Sequence, residues 1–367
     1  MEKISKVAII GLGVMGGSIG LSIKQRKLCE HVVGVDEFSV IHNALDRGAI
    51  DEGFDKSEMQ KALESAEIVF ICTPINQILD LIQQVSAHVS PNTIVCDVGS
   101  TKSQIVDKAT KHFKNNDIYF IGSHPMAGSE MKGIEAADHY LFENVVWVLT
   151  PHQKMPDTSI RKLGTLLENI GAKVLMLSPE QHDKIAAAVS HLPQLLAISL
   201  TNMIARFHQE NPNYIRLAAG GFRDMTRIAS SPYSIWKDII RSNVPQIETF
   251  IDEFIKELQQ TKKDLKSDRI EHDFEKANVT RLAIPKDTKG FMKPTYDISV
   301  GVEDKPGVIA VLSTTLADNN INIKDIEVLK VREGEGGTIR MSFSTWHDRS
   351  QAIELITEQG FSCYSRD

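Results

Sequence analysis

The chain has 367 residues, a formal charge of −7, 42% hydrophobic and 24% charged residues, and four cysteines. This composition is typical of a soluble globular protein of two or three domains. It lacks the long basic run expected of a protein that binds nucleic acid or an anionic membrane. The cysteines have neither metal-ligand nor disulfide-framework spacing, which favours a reducing, cytoplasmic location and predicts no metal site.

The N-terminal run VAIIGLGVMGGSIGLSI is apolar enough to resemble the core of a signal peptide. It contains five glycines, however, and leads into another strand-like run without a convincing cleavage site. No other stretch approaches the length of a membrane span. We therefore predict a soluble, unprocessed protein with no membrane association.

Residues 1–178 alternate short apolar runs with helical-length segments. The runs are rich in Val and Ile and apolar on both faces, as expected of strands that are covered on both sides. This rhythm predicts an α/β Rossmann-type domain with a doubly wound parallel sheet. The runs are KVAIIG, HVVGVD, EIVFICTP, TIVCDVGS, IYFIGSHP, NVVWVLTP and KVLMLS.

Residues 179–290 lose the strand-like runs and show long helical patterns, which predicts an all-helical domain. One helix carries an apolar stripe at Ile247, Phe250, Ile251, Phe254, Ile255 and Leu258. Such stripes often serve a partner subunit, so we expect a homodimer through this domain. A Pro-, Gly- and Lys-rich linker around residues 283–295 follows. Residues 295–367 then show the order β-α-β-β-α-β of a small ferredoxin-like unit.

The sequence GLGVMG has the G-x-G-x-x-G spacing of a dinucleotide-binding turn. It follows a predicted strand, opens a predicted helix, and is trailed about twenty residues later by Asp36. Asp36 would accept hydrogen bonds from a ribose 2′-hydroxyl, and with Glu37 it would repel a 2′-phosphate, so NAD is favoured over NADP. A simple packing turn is the alternative. The predicted cofactor-binding residues are Gly11, Gly13, Val14, Met15, Gly16, Asp36, Thr73 and Pro74.

Three predicted strands end in polar groups, at CTP (72–74), DVGSTK (97–102) and GSHP (122–125). Ligands of open α/β sheets bind outside the carboxyl ends of the strands, so Ser100 and His124 should lie near the nicotinamide. Neutral imidazole suits the removal of a hydroxyl proton while hydride leaves the same carbon. His124 could instead be structural, and Ser100 could instead be a helix N-cap.

The helical domain adds further candidates. His191 lies just before Pro193, which should kink or break the helix locally. The segment GGFRDMTRIASSPYSIWKDI places Gly220, Arg227 and Trp236 close together in the chain. Arg227 could bind a substrate carboxylate with two parallel hydrogen bonds, or it could only pair with Asp224 one helical turn away.

Taken together, GLGVMGGSIG, DVGSTK, GSHPMAGSE, VSHLPQ, GGFRDMTRIASSPYSIW and DKPGVIAVLSTTLADNNINIKDIEV resemble bacterial NAD-dependent prephenate dehydrogenases with a C-terminal ACT domain. The resemblance spans the whole chain. It implies oxidation of prephenate by NAD with loss of CO2, giving 4-hydroxyphenylpyruvate for tyrosine biosynthesis. It also implies feedback inhibition by tyrosine.

The resemblance implies a role for each matching residue. His124 matches the histidine that takes the ring hydroxyl proton, and Ser100 matches a serine near that hydroxyl and the nicotinamide. The substrate-binding group is His191, Arg227, Gly220 and Trp236. In the ACT domain, Asp304 and Gly307 match the ligand-binding loop, and Asn322 lies at the start of the next strand.

Three rival functions remain open at the level of sequence. An arogenate dehydrogenase would use the same fold and base. A β-hydroxyacid dehydrogenase generally relies on a lysine in the helical domain, where this chain has histidine and arginine instead. A non-catalytic sensor of NAD and an amino acid is also conceivable, and turnover of any substrate would exclude it.

Overall fold

The computed structural model describes residues 3–113, 117–127, 132–151, 155–267, 269–283, 296–332 and 336–366. The chain divides into two compact units, residues 1–287 and 288–367. Most of the predicted linker, residues 284–295, lies outside the described residues, as do Gly128, Ser129 and Glu130 of the GSHPMAGSE motif.

The first unit begins with an α/β domain around an eight-stranded sheet of order β3-β2-β1-β4-β5-β6-β7-β8. The strands are β1 (Ile4–Ile10), β2 (Cys29–Val35), β3 (Glu52–Phe54), β4 (Ile68–Ile71), β5 (Ile94–Asp97), β6 (Tyr119–Pro125), β7 (Val146–Pro151) and β8 (Lys173–Met176). The helices are α1 (Val14–Gln25), α2 (Phe38–Asp46), α3 (Met59–Leu63), α4 (Ile75–His88), α5 (Ser103–His112) and α6 (Asp157–Asn169).

The sheet is parallel from β3 to β6, and the predicted Rossmann-type fold class is confirmed. Strand β7 differs from the prediction, because it runs antiparallel to β6, and β8 then runs parallel to β7. A parallel pair needs a crossover connection, usually a helix. The described part of the β6–β7 connection contains a 3₁₀ turn at Ile134–Ala136 instead.

Apolar strand residues bury both faces of this sheet. One cluster includes Ile9, Ile19, Phe70 and Trp147, and the other includes Ile71, Ile78, Val95 and Ile105. With both faces covered, the ends of the strands are the part of the sheet that remains accessible to a ligand.

The helical part of the first unit contains α7 (Pro179–Ala186), a π turn (Ala187–His191), α8 (Leu192–Glu210), α9 (Asn213–Arg216), α10 (Gly220–Thr226), α11 (Tyr233–Ser242), α12 (Val244–Asp264) and α13 (Arg269–Ala283). Pro193 does not break the helix. The chain instead accommodates it with a π turn just before it, so α7, the π turn and α8 form one continuous helical run.

This run, Pro179–Glu210, is long and apolar enough to cross a membrane by length and composition, contrary to the prediction for this part of the chain. It carries the buried polar side chains His182, Asp183, His191 and Gln194. These side chains bond to the sheet domain or to neighbouring parts of the helical domain. The run is therefore packed into the first unit.

The second unit has the predicted order, with β9 (Tyr296–Val302), α14 (Val308–Asp318), β10 (Asp325–Arg332), β11 (Gly336–Phe343), α15 (Trp346–Glu358) and β12 (Ser362–Arg366). Its sheet has the order β10-β11-β9-β12, and neighbouring strands are antiparallel. Helices α14 and α15 pack on one face through Leu312, Leu316, Ala352 and Ile356. The ferredoxin-like arrangement is confirmed.

Candidate active site

The glycine-rich turn joins β1 to α1. Gly11 has φ +92° and lies so close to β4 that a Cβ would be 2.8 Å from the Cys72 carbonyl oxygen. A Cβ on Gly16 would be 1.9 Å from the Gly11 carbonyl oxygen, so α1 can approach the turn only because both residues are glycine. Gly13, at the N-cap of α1, has open space where its Cβ would be.

A cleft of about 520 Å³ opens beside this turn. Asp36, at the end of β2, accepts hydrogen bonds from Leu12 N (2.6 Å) and Glu37 N (2.7 Å). The Thr73 hydroxyl oxygen is buried without a hydrogen-bond partner. The lining comprises Ile10, Gly11, Gly13, Val35, Asp36, Glu37, Lys56, Met59, Cys72, Thr73, Pro74, Gln77, Asp80, Leu81 and Gln84.

These features fit NAD. The open approach to Gly13 leaves room for a pyrophosphate at the N-terminus of α1. The Asp36 oxygens keep lone pairs for a ribose hydroxyl, since a carboxylate accepts up to about four hydrogen bonds. The unpartnered Thr73 hydroxyl provides one more polar contact on the same wall. Among the described residues, no group of three or more His, Cys, Asp and Glu side chains could hold a metal ion.

A buried ion pair lies between the ends of β5 and β6. Lys102 is fully buried and its Nζ donates to Asp97 Oδ2 and to the Ser123 carbonyl, the latter at 2.7 Å. Asp97 Oδ1 in turn accepts from Ser123 N at 3.1 Å, and Trp147 Nε1 donates to Ser123 Oγ at 3.0 Å. This network fixes the residue that immediately precedes His124.

His124, half-buried near the end of β6, begins a hydrogen-bonded chain into the helical domain. Its Nδ1 lies 2.8 Å from Nε2 of His182 on α7, and Nδ1 of His182 lies 2.9 Å from Asp183 Oδ1. Asp183 accepts from the backbone N–H groups of Lys102 (2.7 Å) and Ser103 (2.8 Å) at the start of α5. Nδ1 of His124 is thus committed to His182, and Nε2 is the nitrogen left for a ligand.

Electrostatics keeps His124 neutral. Burial, together with nearby His182, Lys102 and His191, lowers the pKa of His124 well below its ordinary value, although Asp183 opposes this effect. Burial would raise the pKa of Asp183, but hydrogen bonds from His182, Ser103 and Lys102 hold it below the usual value. At neutral pH the site therefore contains a neutral imidazole and an ionised carboxylate.

His191 lies on the π turn and is buried. Its Nδ1 lies 3.3 Å from Nδ2 of Asn243, which donates to the Asp183 carbonyl at 2.8 Å. Burial lowers the pKa of His191 to about 4, with Asp183 opposing and His182 reinforcing the shift. The half-buried ring of Trp236 meets the His191 ring edge-on at 6.1 Å and packs against the sheet domain.

The remaining predicted residues are less tightly held. Ser100 is half-buried in the loop after β5, and it does not cap α5, whose N-cap position is Lys102. Arg227 is exposed on the 3₁₀ turn Arg227–Ser230, which Gln194 ties to α8 by donating to the Ile228 carbonyl at 2.9 Å. Gly220 is exposed at the start of α10 with open space around it.

In the second unit, Asp304 and Gly307 line a separate cavity of about 370 Å³. Gly307 precedes α14 with φ +92°. Asn322, the third predicted residue of this unit, is exposed and lies outside the cavity lining. The structure therefore brings together two of the three predicted regulatory residues.

Two residues of the site, His182 and Asp183, were not predicted from the sequence. In the run LSPEQHDKI they follow a capping box between Ser178 and Gln181, which indicates a helix start and nothing about chemistry. A His-Asp pair one turn into a helix that leaves the sheet edge is a signal that could have been noticed. The sequence gives no signal for the contacts of His182 with His124, 58 positions away, and of Asp183 with Lys102, 81 positions away.

Comparison with known protein families matches three domains along the chain. Residues 19–176 match the prephenate dehydrogenase nucleotide-binding domain, residues 178–277 the prephenate dehydrogenase dimerization domain, and residues 296–353 the ACT domain.

Full-length relatives include prephenate dehydrogenases from Bacillus subtilis and Lactococcus lactis. The first is 36% identical over 95% of both chains, and the second is 37% identical over 96% of this chain and 97% of the relative. Among solved structures, Aquifex aeolicus prephenate dehydrogenase in complex with hydroxyphenyl propionate and NAD+ has a TM-score of 0.71 and 28% identity, covering 77% of this chain and 99% of that one. Synechocystis arogenate dehydrogenase has a TM-score of 0.67 and 28% identity, covering 75% and 98%.

Proposed function

This chain belongs to the prephenate dehydrogenase family, and from that premise we propose how its residues carry out the family's reaction. The chain is an NAD-dependent oxidoreductase that converts prephenate to 4-hydroxyphenylpyruvate, CO2 and NADH in tyrosine biosynthesis. We assign the base to His124. The cofactor site is assigned to Gly11, Gly13, Val14, Met15, Gly16, Asp36, Thr73 and Pro74.

The observation that supports this assignment most strongly is the hydrogen bond between Nδ1 of His124 and His182. Because Nδ1 lies against His182 Nε2, the ring presents Nε2 to a ligand. Its lowered pKa leaves that nitrogen unprotonated at neutral pH. Strands β4, β5 and β6 are neighbours in the sheet, so His124 belongs to the same strand-end edge as Thr73 and Pro74.

The reaction needs a base, a cation that binds a substrate carboxylate, and a correctly placed nicotinamide ring. Bound NAD supplies the hydride acceptor. As the C–H bond at the hydroxyl carbon breaks, His124 Nε2 accepts the hydroxyl proton and the carbon becomes a carbonyl. The bond between the ring and its carboxylate then breaks and CO2 leaves. The electron pair of that bond stays with the ring and converts the carbonyl oxygen into an oxyanion, to which His124 returns the proton. Aromaticity is gained in this step, so no covalent nucleophile is required.

We assign the remaining predicted residues to substrate binding. Ser100 orients the ring hydroxyl, and Arg227 binds a substrate carboxylate with two parallel hydrogen bonds. His191 and Trp236, whose rings meet edge-on, are assigned to the same substrate site. Gly220, at the start of α10, has open space where its Cβ would be. The exposure of Arg227 is compatible with a contact that forms only when substrate is bound.

The direct test is NADH formation with prephenate and arogenate in parallel, each with NAD and NADP. We expect the highest kcat/KM for prephenate with NAD. A preference for arogenate would keep the mechanism and change the substrate, and no turnover of either would contradict the proposed function. His124→Asn should lower kcat by about 10²–10⁴-fold, the range for a general base, while leaving NAD affinity unchanged.

We also propose a homodimer through the helical domain. The matched dimerization domain supports it. So does the apolar stripe on α12, where Ile255 and Leu258 are 45% and 54% exposed in the single chain. Light scattering should give twice the mass of 40.8 kDa, and Leu258→Asp should shift the protein toward the monomer. A dimer that is unaffected by Leu258→Asp would place the interface elsewhere.

Regulation by tyrosine is a further proposal, supported by the ACT domain and its cavity. If tyrosine binds beside Asp304 and Gly307, Asp304→Ala should weaken inhibition, while Asn322→Ala, outside the cavity lining, should change it less. Inhibition that is competitive with prephenate and unchanged by Asp304→Ala would assign tyrosine to the substrate site.

We propose a cytoplasmic location, which the four free cysteines support. We also propose domain limits of 1–178, 179–290 and 295–367, supported by the matched ranges.

A further inference from the structure

We propose that His182 and Asp183 are positioning residues that fix the tautomer of His124, and that His182 transiently holds the proton that substrate oxidation releases. This inference rests on the proposed function, because it takes His124 as the base. It adds two residues that touch neither substrate nor cofactor and that act through His124.

The anchor of this arrangement is the Asp183 carboxylate. It is buried, and its two oxygens accept the backbone N–H groups of Lys102 and Ser103. These groups open helix α5, whose N-terminus favours negative charge. Asn243 also donates to the Asp183 carbonyl, which ties the backbone of α7 to the start of α12. The carboxylate is therefore held both in position and in its ionised form.

The anchor determines the tautomers of both histidines. An ionised carboxylate can only accept hydrogen bonds, so Nδ1 of His182, 2.9 Å from Asp183 Oδ1, carries a proton. In a neutral imidazole the other nitrogen then has a lone pair, and Nε2 of His182 accepts. His124 Nδ1, 2.8 Å away, must donate to it. The lone pair of His124 consequently lies on Nε2, the nitrogen that faces a ligand.

The same chain offers a path for the proton. When His124 Nε2 takes the hydroxyl proton, the ring would carry two N–H groups and a positive charge. Its Nδ1 proton can pass along the 2.8 Å hydrogen bond to His182 Nε2, which leaves His124 neutral. The charge then rests on His182 in direct contact with the Asp183 carboxylate. Reversal of both transfers returns the proton to the product oxygen, so no proton is gained or lost.

The environment of His124 favours this transfer. The titratable groups that face it are His182 and Asp183 on α7, Lys102 before α5, and His191 on the π turn, with Asp97 paired to Lys102. Burial disfavours a positive charge on His124, as do His182, Lys102 and His191, and of the groups that face it only Asp183 favours one. Moving the charge one ring further places it on the buried ring of His182, in direct contact with that carboxylate.

The test compares two substitutions of His182. Glutamine can place its carbonyl oxygen where Nε2 accepts and its amide where Nδ1 donates, so His182→Gln should keep the tautomer but cannot hold the proton. His182→Leu removes both functions. We expect kcat to fall about tenfold for His182→Gln and on the order of 10²–10³-fold for His182→Leu, within the range of general-base effects. KM for prephenate should change by about twofold or less in both.

The pH profile separates positioning from a merely structural role. In His182→Gln the proton must stay on His124, where the surroundings disfavour it, so the acidic limb of the kcat profile should move to lower pH by about one unit. A limb that stays in place, or equal kcat values for the Gln and Leu variants, would overturn the proposal. Thr93→Val, which removes a buried hydrogen bond to the Ala66 carbonyl, is the control for general destabilisation and should retain wild-type kcat.

His124→Asn distinguishes the two levels of inference. If it retains turnover, the base assignment fails, and this proposal fails with it. If His124→Asn is inactive while His182→Leu and His182→Gln both behave as wild type, only the role of His182 and Asp183 is overturned. If His182→Leu does not fold, the kcat and acidic limb of His182→Gln decide the question alone.

Discussion

The nucleotide cleft and the His124 site lie at the same edge of one sheet but are built from different materials. The cleft is formed by backbone, with Gly11 and Gly16 in contact closer than any side chain allows, and it remains open to solvent at Gly13. The His124 site is formed by side chains whose charges and tautomers depend on one another. Binding of NAD therefore depends on the shape of the backbone, while reactivity at His124 depends on where protons and charges are held.

The sharpest way to break this contrast is to remove the buried cation. Lys102→Met leaves Asp97 as an uncompensated buried charge, which should lower the free energy of unfolding by about 3–5 kcal/mol. Denaturant unfolding of the full chain measures this loss. The matched control is Lys162→Met, because Lys162 pairs with Glu67 at a partly exposed position and should cost about 1 kcal/mol or less. Equal losses would contradict the special role of the buried pair.

The protonation side of the contrast appears in the pH dependence of stability. His191 has a folded-state pKa of about 4, below the unfolded value of about 6.5. The unfolded state thus binds more protons between these values, so stability is complete above about pH 6.5 and falls as the pH drops toward 4. The loss from this residue should approach about 3 kcal/mol. When the free energy of unfolding is measured at several pH values across this range and plotted against pH, the slope should be shallower for His191→Asn than for the wild type.

Two alanine substitutions in the glycine-rich turn test whether NAD binding depends on the shape of the backbone. Gly16→Ala places a Cβ 1.9 Å from the Gly11 carbonyl oxygen, and we expect a loss of about 1–3 kcal/mol from overpacking. Gly13→Ala meets nothing within 4 Å, so the thermal midpoint should not change, while the Kd for NAD should rise tenfold or more. A stable Gly16→Ala protein with normal NAD binding would argue against the close packing of α1.

The smallest expected effect concerns the choice of dinucleotide. Asp36→Asn keeps an oxygen for the Leu12 N–H but removes a negative charge from the cleft. The preference for NAD over NADP should fall about tenfold, equivalent to about 1.4 kcal/mol. The ratio of kcat/KM values for the two cofactors measures it. An unchanged ratio would assign the discrimination to Glu37 or to another residue of the cleft.

The sequence predicted those parts of the molecule that depend on local patterns. The glycine-rich turn, the Asp36 position and the β-α-β-β-α-β order all lie within short, characteristic stretches. The antiparallel direction of β7 could not be predicted, because it depends on a connection without a crossover helix. The prediction that Pro193 kinks or breaks its helix missed the π turn.

The site itself was only partly predictable for the same reason. His124 could be placed at a strand end from the pattern alone, but its tautomer depends on His182, 58 residues away. The sequence pattern allows Ser100 to be a helix N-cap or a substrate contact, whereas the N-cap position of α5 in the structure is Lys102, two residues later. Hydrogen-bond partners between distant segments are set by tertiary packing, and the pattern of a single sequence does not specify them.

The π turn at Ala187–His191 also constrains how this chain can vary in length. It holds one residue more than an ordinary helical turn, and each residue of an α-helix turns the following side chains by about 100°. Loss of a single residue here would restore a regular helix, yet it would rotate all of α8 relative to α7. Gln194 would then turn away from the Ile228 carbonyl that it binds. The register of this helix therefore determines where the Arg227–Ser230 turn, bound by α8, lies relative to α7 and the His124 site.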